Sequence, residues 1–383
     1  MLKTDVLIVG AGVAGLSTAY FLGAAGGCSV MVIEQEKKLG GHASGRNAGM
    51  LRQALSDPVL VTLAKRSRKY FDSLEKKGWE NTRLVQNGSL LLSNAADKGK
   101  LKEIAEALKK NKIKSIIMTK EEAEKKVPLL KDGHFSEALF CSSDAMLDLE
   151  PFLKGFLKNL KKMNIPVYRG MVLKRIKTEK DGFRVEAGNK IFFTQRIVNA
   201  AGAWAPWVAE KAGALPIPLK SYRRHLFLSR PPSLVYRPSS IVPRPSSANW
   251  PFVWDISHNF YFRPVNKDLL LSPCDKTFEK NGNRLEKVNP AMKKILSQKL
   301  AGFSTPAGKV RFGKAKSGLR SMVPDGRFVI GEDPKREGFF WVTGLGGHGV
   351  TTCFAVGELA ANLILKREVD SQLAKALSPR RFL

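Results

Sequence analysis

The sequence predicts an α/β protein of two domains, one built on a parallel sheet flanked by helices and a second, α+β domain built on a mainly antiparallel sheet. An apolar, β-branched run at residues 6–9 precedes spaced glycines and an Ala/Leu-rich segment, which is typical of a buried parallel strand followed by a helix to about Ala25. A second apolar strand follows at residues 30–33. Residues 216–275 instead alternate proline-rich loops with aromatic strands, which favours an antiparallel sheet.

The length and composition are those of a globular protein. A chain of 383 residues can bury a large core, and we expect two intertwined domains rather than one. No uninterrupted apolar run is long enough to span a bilayer, and Asp5 with the glycines that follow argues against a signal peptide. The four cysteines lie far apart without metal-ligand spacing, so we expect reduced thiols, no metal site and a cytoplasmic protein.

The net charge is strongly positive, at +30 from 64 Lys+Arg against 34 Asp+Glu. Such a charge favours nucleic acid, an anionic membrane surface or acidic substrates as partners. The lysines are scattered rather than gathered in one arm, and no basic motif interleaved with aromatic residues is present. We therefore expect a generally basic proteome to explain the charge, with weak peripheral attraction to the inner face of the membrane as the second interpretation and no nucleic-acid partner.

The first glycine motif predicts a Rossmann-like dinucleotide site. Gly10 allows a tight turn, Gly12 lets a pyrophosphate approach the backbone, and Gly15 lets helix and strand pack closely. The helix N-terminus offers unpaired N–H groups to the phosphates. Glu34 ends the second strand about 20 residues on, where a carboxylate accepts hydrogen bonds from a ribose. The alternative is a glycine-rich turn that binds nothing.

Three later segments offer further backbone to a ligand. Residues 40–49 form a loop with many glycines and three polar side chains, which favours close approach of backbone to a ligand. Residues 196–205 predict a strand that runs into a small-residue turn and a helix. Residues 344–352 place a glycine cluster before a long helix that ends near Leu365, and such a helix start presents N–H groups and a positive dipole end to an anion.

Periodicity and turn chemistry predict the remaining elements. Asp57 caps a helix that Pro58 opens and that runs to about Lys77, and Asn87-Gly88 predicts a hairpin over residues 83–92. Further helices are expected at residues 98–110, 148–163 and 289–300. Short strands are expected at residues 166–168, 172–178, 183–187, 191–193, 223–228, 259–264, 328–330 and 339–342. The loops between the aromatic strands contain Pro231, Pro232, Pro238, Pro243 and Pro245.

Taken in order, these segments resemble the D-amino-acid-oxidase-type FAD flavoproteins, the group that includes glycine oxidase and monomeric sarcosine oxidase. The resemblance spans nearly the whole chain. The motifs that carry it are GAGVAG at residues 10–15, Glu34, Ser-Gly-Arg-Asn at 44–47, Asn-Ala-Ala-Gly-Ala-Trp at 199–204, Gly-Leu-Arg at 318–320 and Gly-His-Gly at 347–349. Within the group the chain most resembles the bacterial D-arginine dehydrogenases, through residues 222–224, 260–264, 318–321, 338–342 and 377–381.

The resemblance implies a GR2-type flavoprotein fold with FAD. Non-covalent binding is expected because the residue near Gly318 that aligns with the flavin-linked cysteine of sarcosine oxidases is not a cysteine. The implied cofactor domain comprises residues 1–82, 140–215 and 310–383, and the implied substrate domain residues 83–139 and 216–309. The implied cofactor-binding residues are Gly10, Gly12, Val13, Ala14, Gly15, Glu34, Gln35, His42, Ala43, Ser44, Arg46, Asn47, Ala201, Gly202, Trp204, Gly346, Gly347, His348, Gly349, Val350 and Thr351. The last helix would stabilise negative charge at the N1/O2 edge of the flavin.

The resemblance also implies a substrate site. Arg320 matches the arginine that holds the substrate carboxylate, for which a planar two-donor fork is suited, and Tyr261 matches a tyrosine that assists it. Arg224 (or Arg223) and His42 match positions in the pocket of the D-arginine enzymes. Arg223 and Arg224 alternate faces on a strand, so only one is expected to face the pocket. The alternatives are a surface ion pair for Arg320, a core role for Tyr261 and cofactor packing for His42.

The implied reaction is the FAD-dependent oxidation of an amino acid of D configuration to an imino acid, and then a 2-oxo acid, by hydride transfer to flavin N5. Ser89 stands where the D-arginine enzymes have a glutamate for a cationic side chain, which disfavours arginine and lysine as substrates. The alternatives are oxidation of a 2-hydroxy acid or of a secondary amine such as proline or sarcosine, and an RNA-modifying flavoprotein. The sequence leaves open whether a quinone or O2 accepts the electrons.

Overall fold

The computed structural model describes residues 1–230, 249–279 and 288–383. The proline-rich loops expected around Pro231 to Pro245 lie outside the described residues. The described helices are α1 (Val13–Ala25), α2 (Pro58–Phe71), α3 (Lys98–Lys110), α4 (Lys120–Lys126), α5 (Leu149–Lys162), α6 (Ala205–Ala212), α7 (Ala291–Phe303), α8 (Thr305–Gly308), α9 (Gly349–Ile364) and α10 (Ser371–Leu377).

The described strands form three sheets. They are β1 (Leu2–Val9), β2 (Val30–Glu34), β3 (Met50–Leu51), β4 (Leu84–Val85), β5 (Ser89–Ser93), β6 (Ile116–Thr119), β7 (Glu137–Cys141), β8 (Ala145–Leu147), β9 (Val167–Arg169), β10 (Leu173–Glu179), β11 (Gly182–Ala187), β12 (Lys190–Asn199), β13 (Lys220–Arg230), β14 (Phe252–Asp255), β15 (Phe260–Val265), β16 (Asp268–Ser272), β17 (Thr277–Phe278), β18 (Arg311–Met322), β19 (Val329–Glu332) and β20 (Phe339–Thr343).

The first sheet has a parallel centre, as the glycine motif predicts. Its strands run in the order β10-β11-β12-β1-β2-β9, and β20 pairs in parallel with the last residues of β12. Strands β1, β2 and β12 are parallel, so Val9, Glu34 and Asn199 end at one edge. The carboxyl edge of a parallel sheet is where ligands bind in such folds, and this edge carries the glycine loops.

Strand β12 is one ten-residue strand, whereas the sequence pattern predicts two shorter ones. Strand β1 pairs with it from Leu2 opposite Phe192 to Val9 opposite Asn199. The intervening polar residues do not interrupt the strand because their backbone groups already have partners in β1. Helix α2 likewise ends at Phe71, earlier than expected, and a separate 3₁₀ turn follows at Glu75–Lys77.

Helices α1 and α9 cover one face of the first sheet and contact each other closely. A Cβ at Gly357 of α9 would lie 2.5 Å from the Ser17 carbonyl carbon of α1. Gly15 has the packing role expected of it, since a Cβ there would lie 1.9 Å from the Gly10 carbonyl oxygen. Beside them, Trp79, Phe156 and neighbouring aromatic rings fill the main core.

The second sheet has nine strands and is mainly antiparallel. Its order is β17-β13-β16-β15-β14-β5-β7-β6, with β18 on β13, and only β5 and β14 pair in parallel. Strand β18 therefore lies in this sheet, although residues 310–383 are expected in the cofactor domain. The domain boundaries themselves remain a prediction.

The hairpin predicted at Asn87-Gly88 is wrong. Gly88 has a φ of +78°, in the left-handed region that favours glycine. However, β4 pairs with β8 in a three-stranded sheet, whereas β5 lies between β14 and β7 in the second sheet. Every residue of β5 is buried, so this strand is a central one whose partners are distant in sequence. None of the described helices combines the length and apolarity needed to cross a membrane.

Candidate active site

A cleft of about 1240 Å³ opens at the carboxyl edge of the first sheet. Backbone and small side chains from all three glycine-rich segments line it, together with the turn after β12. The predicted cofactor residues that line it are Gly10, Gly12, Val13, Ala14, Glu34, Gln35, His42, Ala43, Ser44, Asn47, Ala201, Gly202, Trp204, Gly346, Gly349 and Val350. The predicted residues outside its lining are Gly15, Arg46, Gly347, His348 and Thr351.

Two helix N-termini open on this cleft. Helices α1 and α9 both begin without a side-chain cap, after Gly12 and His348. Gly12 and Gly349 line the cleft, so the first turns of both helices face it. The Val13 N–H of α1 donates to Ser44 Oγ at 3.0 Å. Positive dipole ends and further helix N–H groups at two places along one cleft suit an anionic dinucleotide.

Two backbone hydrogen bonds hold the Glu34 carboxylate in place. Its Oε2 accepts a hydrogen bond from the Ala11 N–H at 2.7 Å, and its Oε1 accepts one from the Glu36 N–H at 3.0 Å. A carboxylate oxygen accepts more than one hydrogen bond, so both oxygens retain acceptor capacity toward a ligand. The fixed carboxylate at the end of β2 fits the adenosine ribose of FAD.

His42 lies in the cofactor cleft. Its Nε2 is 2.9 Å from Glu36 Oε1, and its ring centroid is 4.6 Å from that of Trp204. The Nδ1 atom is buried without a hydrogen-bond partner in the described part of the chain. A buried unpaired nitrogen in a cleft lined by backbone fits a bound cofactor that supplies the missing partner. The catalytic role assigned to His42 remains a prediction.

Arg46 and Thr351 hold the cleft walls together. Arg46 Nε donates to the Gly41 carbonyl oxygen at 2.6 Å, and its Nη1 donates to that of Ser317 at 3.2 Å, which ties the loop of residues 40–49 to β18. Thr351 Oγ1 donates to the Met50 carbonyl oxygen at 3.1 Å. Both residues thus support the site from behind its lining.

Arg320 and Tyr261 come together next to residues that line the cleft. Arg320 Nη2 lies 3.3 Å from the Tyr261 hydroxyl, which is fully buried on β15. Leu319 and Ser321, on either side of Arg320, line the cofactor cleft. Arg320 also lies against the loop before α9, since a Cβ at Gly347 would be 3.0 Å from its Nη1. The surface ion pair considered for Arg320 is excluded among the described residues, because no carboxylate pairs with it there.

Only Arg224 of the neighbouring arginines shares a sheet face with Arg320. In the β13–β18 register Tyr222 is opposite Arg320 and Arg224 is opposite Gly318, so Arg224 and Arg320 are diagonal neighbours on one face. Arg223 faces the other way, where its Nη2 is 2.6 Å from Glu279 and its Nη1 donates to Ser317 at 3.2 Å. The expected alternation of the two arginines is therefore observed.

A third arginine, Arg52, belongs to this cluster and no motif indicates it. Its guanidinium carbon lies 4.1 Å above the Trp254 ring, and that ring is 4.8 Å from the Tyr261 ring. Burial lowers the pKa of Arg52 to about 10, although its interaction with Asp144 acts to raise that pKa. Arg52 follows β3 and Trp254 lies on β14, so only the folded chain brings them together.

Ser89 has a buried structural partner. Its Oγ donates to Asp144 Oδ2 at 2.7 Å, and the Gln53 N–H donates to Asp144 Oδ1 at 2.7 Å. Burial raises the pKa of Asp144, and hydrogen bonds from these groups oppose that rise. Both oxygens of Asp144 thereby accept hydrogen bonds at a position near Arg52.

His348 is neutral at physiological pH. Its pKa is lowered to about 3, first by burial and then by nearby positive charge. That charge comes from Arg52, Arg320 and Arg224. The imidazole therefore lies in a strongly cationic site without adding to its charge.

Like Arg52, His225 is not indicated by any sequence motif. Its Nδ1 is 2.7 Å from Asp275 Oδ2, and its Nε2 accepts a hydrogen bond from the Asn289 N–H at 3.0 Å. The proton therefore lies on Nδ1, which donates to the carboxylate. The Asp275 carbonyl oxygen accepts a hydrogen bond from Arg224 Nε at 2.7 Å, so this pair helps fix Arg224.

The comparisons with known proteins agree with this fold and this cleft. Residues 5–363 match the family model described as FAD dependent oxidoreductase, the DAO family. A match over nearly the whole chain shows that the protein belongs to this family of FAD-dependent oxidoreductases, and its cofactor is FAD. Among curated relatives, the mitochondrial pyruvate dehydrogenase phosphatase regulatory subunit of Mus musculus is 24% identical over 405 residues, which cover 100% of this chain and 44% of that protein. The chain thus spans less than half the length of that relative.

Two solved structures have the same fold. The L-proline dehydrogenase from P. horikoshii has a TM-score of 0.86 at 22% identity and covers 100% of this chain and 98% of its own. The glycine oxidase from Geobacillus kaustophilus has a TM-score of 0.84 at 21% identity and covers 99% of each chain. The expected α/β, GR2-type architecture is confirmed, whereas a particular likeness to D-arginine dehydrogenases is not specifically shown.

Proposed function

We propose that the protein oxidises the carbon–nitrogen bond next to a carboxylate in an amino acid or a secondary amine, with FAD as the electron acceptor. The observation that carries the proposal is the Arg320–Tyr261 pair, which stands against Gly347 at the end of the cofactor cleft. The names of the two structures of similar fold, a proline dehydrogenase and a glycine oxidase, are compatible with an amine donor.

Arg320 and Tyr261 are assigned to the α-carboxylate. A guanidinium offers parallel N–H donors, and the Tyr261 hydroxyl adds a third donor at 3.3 Å from Arg320 Nη2. Arg320 is buried and lacks a described carboxylate partner, so a substrate carboxylate supplies the counter-charge that a buried cation requires. This fixes the Cα of the substrate beside the loop that precedes α9.

The arginine cluster also prepares the amine. Positive charge nearby disfavours the protonated form of an amine, so it lowers the pKa of the substrate ammonium group. An amine must be neutral before its carbon can transfer a hydride. Arg52 and Arg224 therefore favour the reactive, neutral form of the amine. His348, neutral beside them, can accept a hydrogen bond from the amine without competing as a cation.

The residues that hold FAD are assigned from the cleft. The N-terminus of α1 faces the pyrophosphate, Glu34 the adenosine ribose, His42 the flavin region, and the N-terminus of α9 its pyrimidine end. Bound FAD supplies a two-electron acceptor next to the held Cα. The product is an imino acid, which water converts to a 2-oxo acid when the amine is primary.

Three finer assignments belong to the same proposal. The D enantiomer is assigned on the sequence resemblance at residues 222–224 and 260–264. FAD is assigned as non-covalent, with the cofactor domain at residues 1–82, 140–215 and 310–383. A quinone or O2 is the final acceptor.

Anaerobic mixing of the purified flavoprotein with D- and L-amino acids, proline, sarcosine and 2-hydroxy acids tests the reaction. We expect the flavin absorbance near 450 nm to bleach with carboxylate-bearing amines and, among primary amino acids, with the D forms only. Re-admission of air then distinguishes an oxidase, which recovers colour at once, from a quinone-linked dehydrogenase. Bleaching by 2-hydroxy acids alone, or by no amine, would contradict the proposal.

A further inference from the structure

The cluster around Arg320 contains more guanidinium groups than one carboxylate needs. Arg320 and the Tyr261 hydroxyl supply the donors for an α-carboxylate, on the proposed function. Arg224 lies on the same face of the β13–β18 pair as a diagonal neighbour, within reach of one small substrate. Arg52, which follows β3, lies 4.1 Å above the Trp254 ring, and that ring is 4.8 Å from the Tyr261 ring.

Arg224 has an unused donor. Its Nε donates to the Asp275 carbonyl oxygen at 2.7 Å, whereas its Nη1 is buried without a hydrogen-bond partner in the described residues. A buried charged donor without a partner is costly, typically more so than a neutral one. Such a donor is retained in a folded protein when a ligand supplies the partner.

The buried carboxylates near Arg224 do not supply the missing partner of its Nη1. Asp275 accepts the backbone N–H and the Nδ1–H of His225, and among the described residues neither its carboxylate nor that of Asp144 forms a salt bridge with Arg224. Asp144 is engaged by Ser89 and the Gln53 N–H. Within the described ranges, none of Arg52, Arg224 and Arg320 forms a salt bridge, although Arg66, Arg68, Arg223, Arg327 and Arg381 do.

We infer that the substrate carries a second carboxylate and that Arg224 binds it through its unpaired Nη1. The substrate class is then an amino- or imino-dicarboxylate, with Arg320 on the α-carboxylate and Arg224 on the distal one. This inference rests on the proposed function for the assignment of Arg320, but the anion site of Arg224 can be tested without turnover. The overall charge of +30 agrees with an acidic side chain.

The binding test uses unreactive probes. Glutarate and its half-amide glutaramate differ by one charge at nearly equal size, and their Kd values on the FAD-loaded protein are measured by calorimetry and by flavin difference spectra. We expect glutarate to bind about 10- to 100-fold more tightly, since a hydrogen bond to a charged partner has that effect. Arg224→Gln should reduce this ratio to near one, and Lys220→Gln, which removes an exposed charge from the same strand, should leave it unchanged.

The turnover test compares glutamate with glutamine and aspartate with asparagine, in both D and L forms, by anaerobic flavin reduction. We expect the acids to be preferred by a similar factor, and Arg224→Gln to remove the preference. Equal reduction by acids and amides, with no preference for glutarate, would mean that Arg224 and Arg320 share one carboxylate and would overturn the inference while leaving the proposed function intact. Arg224-dependent binding of glutarate without reaction of any amine would instead contradict the proposed function. If Arg224→Gln does not fold, the inference is tested by the wild-type ratios of acid to amide in binding and in flavin reduction, and by the same ratios in an Arg224→Lys variant.

Discussion

At the residue scale, the carboxylate anchor makes a direct prediction. Arg320→Met should raise the substrate Kd about 100-fold, because a buried charge-assisted hydrogen-bond pair is lost. Tyr261→Phe removes one neutral donor and should raise the substrate Kd about tenfold. Anaerobic titration of flavin absorbance measures both.

The matched control is Arg311→Met, which removes an exposed arginine from the outer end of the same strand β18. It should bind substrate as the wild type does. Normal substrate affinity in Arg320→Met would refute the anchor.

A second residue-scale prediction concerns pH. The positive cluster lowers the pKa of the bound substrate ammonium, so kcat should rise with pH through a midpoint below the pKa of the free amine. Arg52→Met removes one of these charges and should move the midpoint upward. His348, with a pKa of about 3, should add no step between pH 5 and 8.

The profile of kcat from pH 5 to 10 checks this prediction, with His348→Gln as the companion variant. A step near pH 6.5 that disappears in His348→Gln would show that His348 titrates in the working range. If Arg52→Met left the midpoint of the kcat profile unchanged, Arg52 would have no effect on the pKa of the substrate amine.

The site residues differ in how far sequence could reveal them. The motif around Gly12 and the acid Glu34 are local patterns, so their roles follow from spacing alone. Arg52 and Trp254 lie about 200 residues apart in the chain and meet only because β14 pairs with β5 across the second sheet. No local pattern distinguishes such residues from ordinary surface arginines and core tryptophans.

At the element scale, the contact between α1 and α9 gives the sharpest prediction. Gly357→Ala would place a Cβ 2.5 Å from the Ser17 carbonyl carbon, and backbone on two packed helices has little room to move. We expect the free energy of unfolding to fall by about 1–3 kcal/mol. Thermal or urea unfolding of the holoprotein measures the change.

Gly302→Ala in α7 is the matched control, since a Cβ there would have no neighbour within 4 Å. It should raise stability by up to about 1 kcal/mol through helix propensity. If Gly357→Ala were as stable as the wild type, the two helices would have to be farther apart than described.

Element types followed from sequence better than element partners did. The N-cap at Asp57, which accepts hydrogen bonds from the Val59 and Leu60 N–H groups, forms as expected because it depends only on adjacent residues. Gly88 takes the left-handed backbone that its residue type favours, but no hairpin forms, because the flanking strands separate into two sheets. Their partners, β7, β8 and β14, lie about 50 to 165 residues away, which no turn signal encodes.

At the scale of the whole molecule, the cleft couples FAD binding to global stability. Its walls come from residues that span the chain from Val9 to Val350, so unfolding destroys the site completely. FAD at 100 times its Kd should raise the free energy of unfolding by about 2.7 kcal/mol over the apoprotein. Thermal unfolding at increasing FAD concentrations measures the effect.

FMN is the control ligand, because it lacks the adenosine that Glu34 is positioned to bind. It should stabilise the protein much less than FAD at equal concentration. Equal stabilisation by FMN would contradict the role assigned to Glu34 and the α1 N-terminus.

The cleft also fixes an order of events during synthesis of the protein. Strand β1 is synthesised before its partner β12, which ends at Asn199, and before α9, which closes the cleft and ends at Ile364. The nascent chain therefore carries an unsatisfied apolar strand and helix until β12 and α9 have been made. FAD cannot be captured before α9 has been synthesised, so premature termination anywhere before α9 should leave a product without flavin that quality-control proteases remove.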